Sequence, residues 1–241
     1  MEPFFTLFTA ILLLAFLLYA GAFTKKRSFE LTGDDDLDGR LTYQLLLMVA
    51  SAVSLCVAYF LAPDQLHRYF SIGSIDAPAE PLLLFGIAEG ERWGGAGLSI
   101  GLMISVVTAA VMFLNLRRAG IRPFMPSGFG WVLLLSLSNA FGEEMVCRVG
   151  LIAPLDGHLS PVIIFFISAV IFGVAHYRGV PSGISGVFLA GILGFVLAKS
   201  VYETGGFFWA WSIHFVQDVI IIGAMFMMRS VPDEARLKRA L

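Results

Sequence analysis

Charged side chains are scarce in this sequence. Only 14% of its 241 residues are Asp, Glu, Lys or Arg, and 58% are hydrophobic, whereas a soluble domain has about 25% charged and about 45–50% apolar residues. The composition therefore excludes an ordinary soluble domain. The formal net charge of −2 gives no indication of a nucleic-acid partner, and we predict none.

Cysteine is nearly absent as well. Cys56 and Cys147 are the two cysteines, and both lie in apolar stretches, so the sequence lacks the disulfide framework of a small secreted protein. The alternating apolar and polar pattern of membrane β-strands is also missing. These absences leave membrane-spanning α-helices as the fold class.

Apolar runs of about 20 residues recur along the chain, and each is long enough to cross a hydrocarbon core about 30 Å thick. We predict an all-α, polytopic transmembrane helical bundle with seven spans, at residues 4–23, 41–62, 96–116, 131–153, 161–177, 184–199 and 207–228. The segment 80–93 contains an apolar run too short to span, so we interpret it as interfacial or re-entrant, with Trp93 at headgroup depth. An eighth crossing in this segment is the alternative.

This pattern divides the chain into N-terminal helices with the 80–93 segment (1–130), a membrane core (131–228) and a basic tail (229–241). Positive residues cluster on one side of the seven spans, at 25–27, Arg40, Arg117, Arg118, Arg122, Arg178, Arg229, Arg236, Lys238 and Arg239. The opposite loops contain only Arg68, Arg92 and Lys199. Since cytoplasmic loops are enriched in Lys and Arg, we predict an external N-terminus and a cytoplasmic C-terminus, in a prokaryotic plasma membrane.

The positive cluster follows the first span rather than preceding it, which favours a retained helix over a signal peptide. Asp34, Asp36, Asp38 and Gly39 then match the opening of a calcium-binding loop. Leu45 stands where the bidentate Glu of such a loop is required. We therefore interpret this stretch as a solvated acidic turn.

A few ionisable residues lie within the predicted spans, where a charge costs roughly 2.5–3.5 kcal/mol. Apart from Lys199 at the very end of the sixth span, they are Glu143, Glu144 and Arg148 in the fourth span, His176 in the fifth, and His214 and Asp218 in the seventh. Hydrogen bonds between membrane helices contribute only about 0.6 kcal/mol on average. Because that gain does not offset the cost of burial, the set indicates a functional site.

The spacing separates the charges of the fourth span. Glu144 and Arg148 are four residues apart with the acid first, which favours an ion pair on one helix face. Glu143 is rotated by about 100° from Glu144 and is expected to point into a cavity. The residues alone leave several chemistries open: a buried Glu as general base on water, a proton relay, a zinc site of two His and a Glu, or Cys147 as a nucleophile.

Three motifs then carry a resemblance to a known family, namely Glu143-Glu144-x-x-x-Arg148, Phe172-x-x-x-His176 and His214-x-x-x-Asp218. They resemble the motifs of the CPBP family of intramembrane endopeptidases, which includes CAAX prenyl proteases of the Rce type and bacterial Abi proteins. The resemblance covers about residues 131–228. It implies that Glu144 and Arg148 form a structural ion pair.

The resemblance also implies a function and its residues. Glu143 would be the general base that activates water, His176 would help to hold that water, and His214 with Asp218 would form the oxyanion site. No cofactor is implied. The substrate would be a membrane-associated peptide or protein, cleaved near its C-terminus or membrane anchor, as with a prenylated CAAX tail or a C-terminal sorting signal.

One position departs from the common family pattern, because Asn often stands where this chain has Asp218. An ionised Asp can only accept a hydrogen bond, so Asp218 is better placed to hold His214 in its donor form or to be protonated, and it would bind a metal better than Asn. A zinc enzyme using Glu143, His176, His214 and Asp218 is therefore one alternative. A non-catalytic membrane module that binds peptides, such as an immunity protein, is another.

The predicted spans place His176 near the cytoplasmic end of its helix and Glu143 more than a dozen residues into its own. For the two to meet, the fifth helix must extend beyond Tyr177, the fourth must start later or tilt, or water must reach deep. We predict a funnel between helices four to seven that opens to the cytoplasmic side.

Overall fold

The computed structural model of this chain describes residues 2–24, 28–124, 128–180 and 182–229. These residues form α1 (Glu2–Phe23), α2 (Asp35–Leu61), α3 (Pro63–Tyr69), α4 (Trp93–Arg118), α5 (Phe129–Glu144), α6 (Gly150–Leu155), α7 (Pro161–Ala175), α8 (Gly183–Thr204) and α9 (Phe208–Arg229). Leu83–Phe85 and His176–Arg178 are short 3-10 helices, and Met145–Val149 is a π-helical turn. Within these ranges the only β-type pairing is a few isolated bridges, so the predicted all-α fold is confirmed.

Six of the described helices are long and apolar enough to cross a membrane. They are α1, α2, α4, α8, α9 and α7 with its 3-10 extension. The predicted fourth span corresponds to α5, the π turn and α6, which follow one another without a break. The π turn divides this composite helix into α-helical pieces of 16 and 6 residues, each too short to span alone. The polytopic helical bundle is thus confirmed, with its central span interrupted.

The 80–93 segment contains only the 3-10 helix Leu83–Phe85. Isolated antiparallel bridges join Pro78 to Arg92 and Leu82 to Ile87, so the segment folds back on itself. Trp93 is fully buried, and its indole N–H donates to Glu203 Oε2 at 2.8 Å. The polar atom of Trp93 thus has its partner inside the protein, and its location at headgroup depth stays a prediction.

Consecutive long helices end on alternate sides of the bundle. Arg229 at the end of α9 pairs with Asp34 just before α2, whereas His158 after α6 contacts Glu2 at the start of α1. We call the end of the bundle that holds Arg40, Arg117, Arg178 and Arg229 the basic side. The predicted positive residues at 25–27 and 230–241 lie outside the described residues, and the cytoplasmic location of the basic side stays a prediction.

The acidic stretch before α2 caps that helix. Asp34 is the N-cap residue and accepts from the Leu37 backbone N–H, which satisfies a helix-terminal donor. Asp38 is buried and accepts from both the backbone N–H and the hydroxyl of Thr32 at 2.7 Å. The interpretation as a solvated turn is therefore wrong for Asp38, because local donors hold this carboxylate inside the fold.

A single large apolar core contains residues of α1, α2 and α4, and of all four helices α6, α7, α8 and α9. Helix α4 packs closely against α9 at Gly97, since a side chain at this position would overlap the Trp209 ring. The outer faces are apolar, as shown by exposed Ile11, Phe60, Leu102 and Val170. An apolar exterior is what lipid requires of a spanning bundle. This is an integral membrane protein.

Candidate active site

The composite helix of α5 and α6 carries the two glutamates at its interruption. Glu143 and Glu144 are the last residues of α5, and the π turn Met145–Val149 follows at once. Single π turns are rare and occur often at functional sites. The turn lies between Gly142 and Gly150, where an added Cβ would clash with Leu47 and Ser54 of α2 respectively. Helix α2 is therefore packed directly against the interruption.

Glu144 and Arg148 lie together in the interior. Arg148 Nη1 is 3.1 Å from Glu144 Oε1, and both side chains are fully buried. The guanidinium carbon lies 3.9 Å from the centre of the Phe172 ring, a distance typical of a cation–π contact. Phe172 of the second motif thus packs against the ion pair of the first.

Glu144 also contacts the third motif. Its Oε1 is 2.8 Å from His214 Nδ1, and because a carboxylate only accepts, the histidine nitrogen is the donor. His214 Nε2 is left to face the other carboxylates. The sequence predicted Glu144 as a partner of Arg148, but the structure shows that it orients His214 as well.

Glu143 lies between the two histidines. Its Oε2 is 3.7 Å from His176 Nε2 and 3.7 Å from His214 Nε2. His176 is oriented through its other nitrogen, since Nδ1 donates to the Phe172 carbonyl at 2.8 Å. Two histidines held by their Nδ1 atoms therefore present Nε2 to one carboxylate oxygen.

The short α7 explains how His176 reaches the depth of Glu143. This helix has 15 residues and spans about 22 Å, which is less than the hydrocarbon thickness. It ends at Ala175, so His176 begins the following 3-10 helix. Of the alternatives that the sequence left open, a later start of the fourth span is wrong, since α5 already begins at Phe129. The turn after α7 lies at the depth of the site instead.

An amide network that the motifs did not reveal supports the carboxylates. Asn139 Nδ2 donates to Glu143 Oε1 at 3.2 Å and to Asp218 Oδ2 at 3.1 Å. Its carbonyl accepts from Gln44 Nε2 at 3.0 Å, and Gln44 Oε1 accepts from the Ser138 hydroxyl at 3.0 Å. Asp218 Oδ2 is also 3.7 Å from His214 Nε2. The only sequence signal was an Asn four residues before Glu143 and a Gln in an otherwise apolar part of α2.

A cavity of about 680 Å³ leads from the basic side to these residues. Glu143, His176 and Asp218 line its inner part, and Asp36, Arg40 and Arg178 line it toward the basic side. Residues of α1 and α2, including Leu17 and Tyr43, form one wall. The cavity is therefore wider than the predicted space between the C-terminal helices, because the N-terminal helices enclose it.

One other candidate of the sequence, Cys147, does not join this arrangement. Cys147 is buried outside the cavity lining, and its carbonyl accepts from the Ser168 hydroxyl. Among the described residues, no group of three or more His, Cys, Asp or Glu side chains is arranged to hold a metal ion.

Comparison with known proteins supports the resemblance. Residues 125–220 match the family model described as type II CAAX prenyl endopeptidase Rce1-like. All three motifs fall within this range, so the resemblance to the CAAX protease family is confirmed for this part of the chain. No curated protein and no solved structure matches the chain.

Proposed function

We propose that this protein, a CAAX-type intramembrane endopeptidase by its Rce1-like match over residues 125–220, uses Glu143 as the general base that activates water. The observation that supports this role is the position of Glu143 Oε2, 3.7 Å from the Nε2 atoms of both His176 and His214. These separations are too long for direct hydrogen bonds, and a polar contact of this length suits a bridging water. One water held by the carboxylate and a histidine lies within reach of the base.

In the proposed reaction Glu143 takes a proton from water, and the oxygen forms a bond to the carbonyl carbon of the substrate. The negative charge moves to the carbonyl oxygen. When the tetrahedral intermediate collapses, the C–N bond breaks and the leaving amine takes the proton from Glu143. The carboxylate thus returns to its starting state, and the products are a carboxylic acid and an amine.

His214 is proposed to stabilise the oxyanion through Nε2. Because Nδ1–H is already donated to Glu144, this role requires both ring nitrogens to carry protons. The Glu143, Glu144 and Asp218 carboxylates all lie beside this ring. Glu144 would then act on the reaction through His214, in addition to its pairing with Arg148.

The substrate is proposed to be a membrane-associated peptide or protein cleaved near its C-terminus, of the prenylated CAAX type. The cavity supports this proposal because it joins the charged basic side to a site deep among the helices. A peptide tail could enter from the aqueous side while its anchor stays in lipid. Whether cleavage requires the prenyl group is tested by comparing a prenylated substrate with an unmodified one.

Cleavage of a defined peptide tests the function. The purified protein, reconstituted in liposomes, is incubated with matched farnesylated and unmodified peptides that end in a CAAX sequence, and the products are identified by mass spectrometry. We expect release of the C-terminal residues after the prenylated cysteine. Binding of the peptides without cleavage by the folded protein would instead support the non-catalytic peptide-binding module.

Replacing Asn139 by Leu is expected to lower kcat by about 10- to 100-fold, because Glu143 Oε1 and Asp218 Oδ2 each lose a donor at a cost of about 1–3 kcal/mol. KM should change little, since Asn139 acts through the carboxylates. The matched control is Asn115→Leu in α4, outside the cavity lining. Equal effects of the two substitutions on kcat would show that Asn139 has no specific role in supporting the carboxylates.

A further inference from the structure

The oxyanion site, as assembled from the motif residues, has too few hydrogen-bond donors. Asp218, when ionised, can only accept. Asn139 is also engaged, because its amide nitrogen donates to both Glu143 and Asp218. His214 Nε2 makes no direct hydrogen bond, since Nδ1 donates to Glu144 and the nearest carboxylate oxygens are 3.7 Å from Nε2. The motifs therefore supply one donor, whereas an oxyanion hole gains most from several donors aimed at the developing charge.

Other polar groups near Glu143 are also held in place. His176 Nδ1 donates to the Phe172 carbonyl, and its Nε2 is assigned to the water beside Glu143. Gln44 donates to Asn139 and accepts from Ser138, which fixes its amide plane. An additional donor is thus best sought among cavity residues whose polar atoms have no such engagement.

Tyr43 meets this requirement. It is half-buried in α2, lines the same cavity as Glu143, His176 and Asp218, and lies within electrostatic range of Glu143 and Asp218. Its hydroxyl makes no hydrogen bond to any other residue that the structure describes. We propose that the Tyr43 hydroxyl is a second oxyanion donor, in addition to His214 Nε2. The proposal rests on the proposed endopeptidase function and adds a catalytic residue from outside the three motifs.

Tyr43 can act as an oxyanion donor without changing the proton transfers of the proposed reaction. Tyr43 donates a hydrogen bond to the carbonyl oxygen as the C–O bond to water forms, and it keeps its proton throughout. Glu143 carries the proton from water to the leaving amine. Tyr43 belongs to α2, which packs against Gly142 and Gly150 on either side of the π turn. This contact between α2 and the helix of Glu143 positions the donor relative to the base.

Tyr43→Phe removes only the hydroxyl and leaves the ring in place. With the farnesylated CAAX peptide, kcat is expected to fall by about 10²- to 10³-fold, the effect of losing one oxyanion-hole donor, while KM stays within about threefold. The matched control is Tyr59→Phe, the same change at an exposed position of the same helix, which should behave as the unchanged protein. A kcat for Tyr43→Phe within about threefold of the control would overturn the proposal.

A second substrate separates this role from proton donation to the leaving group. An activated ester of the same peptide has a leaving group that needs no proton, but its hydrolysis still forms an oxyanion. We expect a similar loss of kcat for ester and amide, and a loss confined to the amide would overturn the oxyanion role. If Glu143→Gln stops cleavage while Tyr43→Phe does not, this inference fails and the proposed function stands. A folded unchanged protein that cleaves neither substrate would contradict both.

Discussion

Glu143→Gln is expected to lower kcat for peptide cleavage by about 10²- to 10⁴-fold, the contribution typical of general-base catalysis. The amide has nearly the shape of the carboxylate, and its carbonyl oxygen can still accept from Asn139 Nδ2, which lies 3.2 Å from Glu143 Oε1. It cannot take a proton from water. The expected loss therefore reflects chemistry rather than folding, and it is measured as kcat on the farnesylated CAAX peptide.

Two measurements control this result. Glu89→Gln makes the same substitution in an exposed loop and should leave kcat unchanged. The thermal unfolding midpoint of Glu143→Gln in detergent should match that of the unchanged protein. Cleavage by Glu143→Gln at more than about a tenth of the original kcat would show that another group activates the water.

Arg148→Met is expected to destabilise the protein by about 3–5 kcal/mol, because breaking a buried ion pair leaves Glu144 with His214 as its one remaining charged or polar partner among the described residues. Both partners are fully buried at 3.1 Å, and the substitution also removes the contact of the guanidinium with the Phe172 ring. Methionine fills part of the space but cannot neutralise Glu144. The free energy of unfolding, measured by denaturant titration in mixed micelles, tests the expectation.

Arg118→Met, at the exposed end of α4, is the matched control and should cost less than about 0.5 kcal/mol. Arg148→Lys is expected to fall between the two, since lysine keeps the charge but loses the contact of the guanidinium with the Phe172 ring. If Arg148→Met were as stable as Arg118→Met, the pair would have no structural role. Glu144 would then act only through its bond to His214.

Local spacing explains what could be predicted from the sequence. The i, i+4 order of Glu144 and Arg148 predicts a contact within one stretch of helix, and the two are indeed adjacent. The three motifs predict that helices distant in sequence meet, because ionisable groups in lipid need partners. The long apolar runs predict the spanning helices for the same physical reason.

Tertiary contacts explain the features that could not be predicted from the sequence. Gln44 and Asn139 are far apart in sequence, and only the packing of α2 against α5 brings their amides to 3.0 Å. A count of apolar residues does not show that a π turn interrupts the fourth span after Glu144. Nor does it show that α7 stops early enough to place His176 beside Glu143.

The acidic stretch that resembles a calcium-binding loop shows another limit of prediction from a sequence pattern. Its pattern led to a choice between a metal loop and a solvated turn, whereas Asp34 caps α2 and Asp38 is buried against Thr32. Capping and calcium binding both draw on short acidic side chains. The surrounding backbone, rather than the pattern of acids, decides between them.

The central claim is that the Glu143 carboxylate, rather than a zinc ion held by Glu143, His176, His214 and Asp218, activates the water. Its most direct test is the cleavage rate of the purified protein after exhaustive treatment with a strong zinc chelator, with the metal content measured on the same sample. We predict an unchanged kcat in protein that retains far less than one metal ion per chain. Loss of cleavage that one equivalent of zinc restores would contradict the account.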